Sequence, residues 1–153
     1  MTARLILGAD HGGYRLKVIL KNYLTDAGYE VVDCGAATFD PDDDYPVYAR
    51  TVAKHISLDP TSRGILICRS GQGVAIVANK FRRVRAALAW NELAVKAARA
   101  DDDANILCLP ADHLAPDLAS SMVETFLKTA CKTESRYQRR LHQIQVIEEE
   151  MMR

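Results

Sequence analysis

The chain has 153 residues, 20 Lys plus Arg against 20 Asp plus Glu, and a formal net charge of zero. That length suits one domain with one core, and the balanced charge gives no reason to expect nucleic acid or an anionic membrane surface as a partner. No apolar run has the length of a membrane span, and Met1-Thr2-Ala3-Arg4 leads into a first strand with no signal peptide, so a cytoplasmic protein is expected.

Arg4 to Ala9 (RLILGA) is apolar without steady alternation, the pattern of a strand covered on both faces. It stops at Asp10-His11-Gly12-Gly13. Tyr14 to Ala27 has helical periodicity, with Tyr14, Val18, Leu20, Tyr23, Leu24 and Ala27 on its apolar side, lysines at 17 and 21, and Gly28 placed to end it. Glu30 to Asp33 is a second short strand, stopped by Cys34-Gly35, and the acidic stretch Asp40 to Asp44 is a loop. Tyr45-Pro46 opens a helix carrying Tyr48, Ala49, Val52, Ala53 and Ile56 inward, closed by Asp59 to Ser62. Arg63 to Ile67 is the third strand and ends in Cys68. The loop Arg69-Ser70-Gly71-Gln72-Gly73 follows, then a short helix from Gly73 to Lys80. Arg85 to Trp90 reads as the fourth strand, Glu92 to Ala100 as a helix interrupted by Asp101-Asp102-Asp103, and Asn105 to Leu109 as the fifth strand. After a loop at Pro110 to His113, Leu114 to Lys128 is a helix with Leu118, Met122, Val123, Phe126 and Leu127 inward. A last helix covers Glu134 to Met151, with the stripe Tyr137, Leu141, Ile144, Ile147 and Met151 at steps of three and four.

Strands alternating with helices give an α/β class: a three-layer, doubly wound (Rossmann-like), five-stranded parallel sheet with an extra C-terminal helix. The common strand order 2-1-3-4-5 is expected. In that order the first and third strands are neighbours whose helices leave on opposite faces, and a ligand crevice opens at their carboxyl ends. Asp10-His11 and Cys68-Arg69-Ser70 then meet at one point. Residues 1–131 form the α/β domain. Residues 132–153 add a helix with no place in such a unit; its stripe is expected on a partner subunit, the alternative being its own domain.

Cys68 stands at the edge of a glycine-rich turn into a helix, where unpaired amides and the helix dipole favour an anion and a thiolate. Cys34, Cys108 and Cys131 read as small buried hydrophobes, since no CxxC or zinc spacing is present. Cysteine-phosphatase chemistry needs an arginine six residues after the cysteine, and Val74 is there; a cysteine protease needs a cleft that these short loops do not offer. Proton transfer next to a small anionic substrate remains. Ser70 and the loop backbone can donate to a developing enediolate, Ser70 serving also as a helix cap. Asp10 can bind sugar hydroxyls and His11 can bind phosphate or move a proton, the plain alternative being a loop pair satisfied by its own backbone. The three acids at 101–103 oppose a helix dipole; a solvated turn is the plain alternative, and nothing supports a metal there. Arg136 and Arg140 share a helix face beside Lys132 and Arg139 and can hold a phosphate, or form a solvated basic face. No GxxxxGK[ST] and no GxGxxG mark a nucleotide loop.

Together GADHGG at 8–13, DYPVYA at 44–49, GILICRSGQGVAIVANKFRRVRAAL at 64–88, DDDANIL at 101–107 and the arginines of the last helix resemble the ribose-5-phosphate isomerase type B family, which also includes galactose-6-phosphate isomerase subunits. The likeness spans nearly the whole chain. It implies a doubly wound subunit working as a dimer or tetramer, with the active site at the subunit junction. It implies interconversion of an aldose phosphate and a ketose phosphate through a cis-enediolate, without a cofactor. It implies Cys68 as the base, Ser70 as an assisting hydroxyl, the backbone of Gly71, Gln72, Gly73 and Val74 as donors to the enediolate, Asp10 and His11 as sugar and phosphate contacts, Tyr45 as a pocket wall, and Arg136 and Arg140 as phosphate ligands. Three positions depart from the pattern. Asp101-Asp102 stands where members have a His-Asn pair credited with ring opening, which leaves Asp101 as the acid–base candidate and Asp102 as a pocket contact. Arg69 replaces a common glycine and can narrow the pocket or add an anion contact. Asp112 replaces an arginine after the fifth strand. Ribose 5-phosphate and ribulose 5-phosphate are the expected pair; the alternatives are another sugar or sugar phosphate, tetrose or hexose, and a non-catalytic sugar-phosphate-binding homologue.

Overall fold

Five short segments pair in parallel: β1 (Leu5–Ala9), β2 (Val31–Asp33), β3 (Arg63–Cys68), β4 (Ala86–Leu88) and β5 (Ile106–Pro110). The computed structural model describes residues 4–152, so the lead-in Met1 to Ala3 lies outside it. The helices are α1 (Tyr14–Asp26), α2 (Tyr45–Leu58), α3 (Gln72–Ala78), α4 (Glu92–Asp102), α5 (Pro116–Lys128) and α6 (Ser135–Met151), with a single 3-10 turn at Ala111–His113. None of the described helices is long and apolar enough to cross a membrane.

The doubly wound α/β class is as expected, but the strand order is β2-β1-β3-β5-β4, so the last two strands exchange places relative to the expected 2-1-3-4-5. Burial explains the exchange. Every residue of β5 is buried, and it pairs on both sides, Gly64 with Ile106 through Cys68 with Pro110, and Ala86 with Ile106. The three-residue, half-buried AAL of β4 offers too little apolar surface for an interior place and suits an edge.

The two faces of the sheet carry separate cores. Leu5, Leu7, Ile65, Ile67, Leu107 and Leu109 pack with α1, α4 and α5; Ile6, Leu66, Cys68, Ile106 and Cys108 pack with α2 and α3. The helix after β1 and the helix after β3 therefore lie on opposite faces, and the chain parts at the carboxyl ends of these neighbouring strands. At Gly13 the parting is tight: a β carbon there would sit 2.5 Å from the Ile67 carbonyl oxygen.

Two helices are rotated from their expected phase. In α5 the buried positions are Ala119, Met122, Val123 and Phe126, spaced three and four apart, while Leu118 turns toward solvent. In α1 the buried set is Leu16, Lys17, Leu20 and Leu24, and Val18 is exposed. Lys17 is buried because it has partners: Nζ lies 3.0 Å from Asp33 Oδ1 and donates to the Ala36 carbonyl. Burial works to raise the Asp33 carboxyl, but the Gly35 amide, Lys17 and Lys21 outweigh it and hold it below the usual range. The helix α4 runs through Asp101 and Asp102, past the expected break, and ends at Asp103 with φ of 46°. Cations offset the acids there, since Arg85 and Arg99 each contact an Asp103 carboxylate oxygen at 2.7 Å. Within α6 Tyr137 is buried, whereas Ile144, Ile147 and Met151 are exposed along one stripe.

Replacing Lys17 with Met removes the charge under β2 while keeping the stem. It leaves the Ala36 carbonyl without its ammonium and Asp33 with only Lys21 and the Gly35 amide, so urea unfolding of Lys17→Met should show a loss of about 2 kcal/mol; an unchanged midpoint would show that Lys17 contributes nothing there.

Candidate active site

Cys68 is the last residue of β3 and is buried on the α2–α3 face. The chain turns at once, because Gly71 adopts φ of +72° and a β carbon there would meet Leu88 Cδ1 at 2.5 Å and the Leu109 carbonyl carbon at 3.1 Å. The turn brings the Gly71 amide back onto the thiol, N–H to Sγ, at 3.1 Å. Ser70 Oγ accepts from the Gln72 amide at 3.4 Å, so it supports the first turn of α3 although Gly71 is the capping residue. The first amides of a helix have no partner inside it; Ala75 is the first in α3 to reach one, the Gly71 carbonyl. Among the described residues the amides of Gly73 and Val74 thus have no acceptor, in the turn that follows the one bringing Gly71 onto the thiol. The ring of Tyr45, at the start of α2, lies against Gly73 and walls this corner. Of the other cysteines, Cys108 is fully buried as expected and Cys34 and Cys131 are half-buried; burial pushes all three thiols up.

The end of β1 meets the same corner. The stem of Arg69 packs on Gly12, which fixes Asp10-His11 beside the loop after Cys68 as the crevice argument expects. Asp10 is buried and accepts from the Gly13 amide at 3.2 Å. Burial pushes its carboxyl above the usual range, against the pull of the Gly13 amide and the His11 ring. His11 is tied to Asp43, a residue the sequence did not single out from its acidic neighbours. Asp43 Oδ1 accepts from both the His11 amide and Nδ1, each at 2.8 Å. The bond to Asp43 raises the His11 imidazole above its ordinary value, while the carboxylate, although raised by burial, is held low by the His11 amide and ring. One donor atom from each of Asp10, His11 and Asp43 falls within 4.8 Å of the others, the spacing of a cation site. The direct His11–Asp43 bond engages those atoms with each other, and the set is a hydrogen-bonded cluster.

Asp101, Asp102, Arg136 and Arg140 are elsewhere. In a parallel sheet the helix after a strand returns from the carboxyl edge to the amino edge, and α4 does so: Arg85, just ahead of β4, donates through Nε to the Asp102 and Asp103 carbonyls. Asp101 therefore stands at the opposite edge from Cys68. There Lys132 Nζ lies 2.6 Å from Asp101 Oδ1 and donates to the Tyr137 hydroxyl at 3.0 Å, which also accepts from Arg136 at 2.7 Å. Lys132, Arg136 and Arg140 all approach the Tyr137 ring, at 4.4, 4.7 and 5.9 Å from its centroid. Lys132 first, then Arg136, pull the Tyr137 phenol below its ordinary value against burial. Three cations to one carboxylate leave a positive cluster suited to an anion. One chain thus carries two polar clusters at opposite edges: a thiol in a turn of unpaired amides, and a set of cations with an acid.

The family described as Ribose/Galactose Isomerase matches residues 5–144. The ribose-5-phosphate isomerase B of Mycobacterium tuberculosis is 38% identical over 138 residues, covering 90% of this chain and 85% of the relative. A 4-deoxy-4-sulfo-D-erythrose isomerase from a Clostridium species is 42% identical over 128 residues, covering 82% of this chain and 79% of the relative. Among solved structures, ribose-5-phosphate isomerase B from Mycoplasma genitalium with bound ribulose-5-phosphate superposes with a TM-score of 0.94 at 37% identity, covering 99% of each chain.

The His11–Asp43 bond makes a prediction about pH. The raised imidazole means that protonation favours the folded state: this contribution is full below about pH 6.5, the unperturbed histidine value, and is lost as pH rises through the higher folded value. NMR titration of His11 should give a midpoint above the free-histidine value in the wild type and a lower one in Asp43→Asn; equal midpoints would remove Asp43 as the cause.

Proposed function

The chain belongs to the Ribose/Galactose Isomerase family, and from that premise we propose that it interconverts an aldose phosphate and a ketose phosphate, ribose 5-phosphate and ribulose 5-phosphate first, in a site completed by a second copy of the chain. The observation that carries this reading is the separation of the half-sites. The thiol and open amides belong to the carboxyl edge, while Asp101, Asp102 and the arginines belong to the amino edge of the same subunit. Two copies arranged head to tail would join one half-site of each. The exposed stripe Ile144, Ile147 and Met151 on α6 supports such a contact, with residues 132–153 docking on the second copy and residues 1–131 carrying the catalytic fold. The assembly is a dimer, or a tetramer built from it, in the cytoplasm.

In the reaction the Cys68 thiolate removes the C2 proton of the open-chain aldose and returns it to C1. The proton on O2 passes to O1, so atoms and charge balance with no oxidant, cofactor or metal. The enediolate between these steps carries its charge on O1 and O2, where Ser70 and the amides of Gly73 and Val74 donate. Asp10 binds a sugar hydroxyl, Tyr45 walls the pocket, and His11 with Arg136 and Arg140 of the second copy holds the phosphate. Asp101 of that copy serves the oxygen-to-oxygen proton transfer.

A second reading is favoured by a specific observation. Opening a cyclic sugar needs a proton donor at the ring oxygen, whereas Asp101 is a carboxylate already engaged with Lys132. A tetrose whose C4 bears the anionic group has no hydroxyl placed to close a five-membered ring. It meets the enzyme open, as would the substrate named for the Clostridium relative.

Deuterium exchange at C2, followed by NMR with ribose 5-phosphate and with erythrose 4-phosphate, tests both readings. The wild type should exchange one of them, the faster naming the chain length, and Cys68→Ala should fall by about 10³-fold while still binding. Exchange at the wild-type rate in Cys68→Ala would remove the thiol as base; no exchange of either sugar by folded wild type would favour a binding homologue.

A further inference from the structure

We propose that Arg69, braced by Asp112, is a specificity-determining residue that grips the terminal oxyanion of the substrate from the thiol's own subunit, facing Arg136 and Arg140 of the second copy; this rests on the isomerase reading above. Arg69 follows Cys68 directly, and two links fix it. Its Nε donates to Asp112 Oδ2 at 3.0 Å, and the Asp112 amide donates back to the Arg69 carbonyl at 3.0 Å. The pairing of Cys68 with Pro110 brings the two loops side by side. On the other side the Arg69 stem packs on Gly12, next to His11. The residue therefore straps the carboxyl ends of β1, β3 and β5, the edge where the crevice opens.

How the guanidinium is held decides what it can bind. Asp112 engages Nε, and among the described residues neither Nη atom has an acceptor, although the side chain is 69% exposed. The edge formed by Nη1 and Nη2 stays free as a planar fork, which matches two oxygens of a phosphate or a sulfonate at once. A lysine at this position would present only a point charge.

The test uses full-length protein, C2 exchange, and calorimetry with two unreactive acids, ribonate 5-phosphate and its sulfonate counterpart. Arg69→Gln should raise KM for the phosphorylated sugar and Kd for at least one acid by about tenfold to a hundredfold, the loss of a charge-assisted bidentate contact, with kcat within about twofold. Rates on unphosphorylated ribose should not move. Arg69→Lys should restore part of the affinity, and Asp112→Asn should weaken it less than Arg69→Gln. The acid with the larger Arg69-dependent loss names the terminal group. Unchanged affinity for both acids in Arg69→Gln, or an equal loss on ribose and its phosphate, overturns the proposal. Wild-type turnover with an unaffected Arg69→Gln removes the clamp and keeps the isomerase; Arg69-dependent binding of either acid without wild-type exchange removes the isomerase and keeps the clamp.

Discussion

The polarity of a parallel sheet governs this molecule. All five strands point one way, so every strand-to-helix turn lies on one edge and every helix-to-strand return on the other. The thiol, the glycine turn and the Asp10–His11 pair are strand-to-helix features. The acids of α4 and the cations around Tyr137 are return-side features. No loop adjustment within one subunit brings them together, and it is this separation, set by topology, on which the proposed two-copy site rests.

Each edge then has its own electrostatic solution. At the carboxyl edge backbone donors join the side-chain pairs His11–Asp43 and Arg69–Asp112: the Gly71 amide meets the Cys68 sulfur, the Gly13 amide meets Asp10, and the His11 amide meets Asp43. Such donors are fixed by the fold and need no rearrangement when charge develops. At the amino edge side chains do the balancing. Arg85 and Arg99 neutralise Asp103, Lys132 neutralises Asp101, and the surplus cations collect on one tyrosine. A helix that ends in three acids opposes its own dipole, and these cations let α4 keep its last turn. Lys17 under β2 is the same solution applied in the core, where one ammonium serves a carboxylate and a carbonyl.

What was legible in the sequence is what short-range pattern controls. The apolar runs of β1 and β3, the turn between Cys68 and α3, and the meeting of Asp10-His11 with Cys68 all followed from run length, glycine placement and the crossover rule. The exchange of β4 and β5 did not, because an alanine-rich segment of three residues carries little information on which neighbour it prefers. The burial of Lys17 was not legible because its partner Asp33 sits on another element. Asp43 was hidden among equivalent acids, and only the fold distinguishes the one that reaches His11. Arg69 and Asp112 were each noted as departures, yet their pairing spans 43 residues and depends on β5 lying next to β3. The separation of Asp101 from Cys68 was within reach of the sequence, since the return of α4 to the amino edge is already contained in a parallel α/β topology.

The central claim is that each active site takes one edge from each of two copies. Co-expressing Cys68→Ala and an Arg136→Ala/Arg140→Ala double variant under different tags, and isolating the mixed species by tandem purification, tests it most directly. Each parent should be inactive, and the mixed dimer should recover roughly half of the wild-type rate, because one of its two sites combines the intact edges. A mixed dimer as inactive as both parents, with folding and assembly unchanged, would contradict a shared site and place the whole chemistry within one subunit.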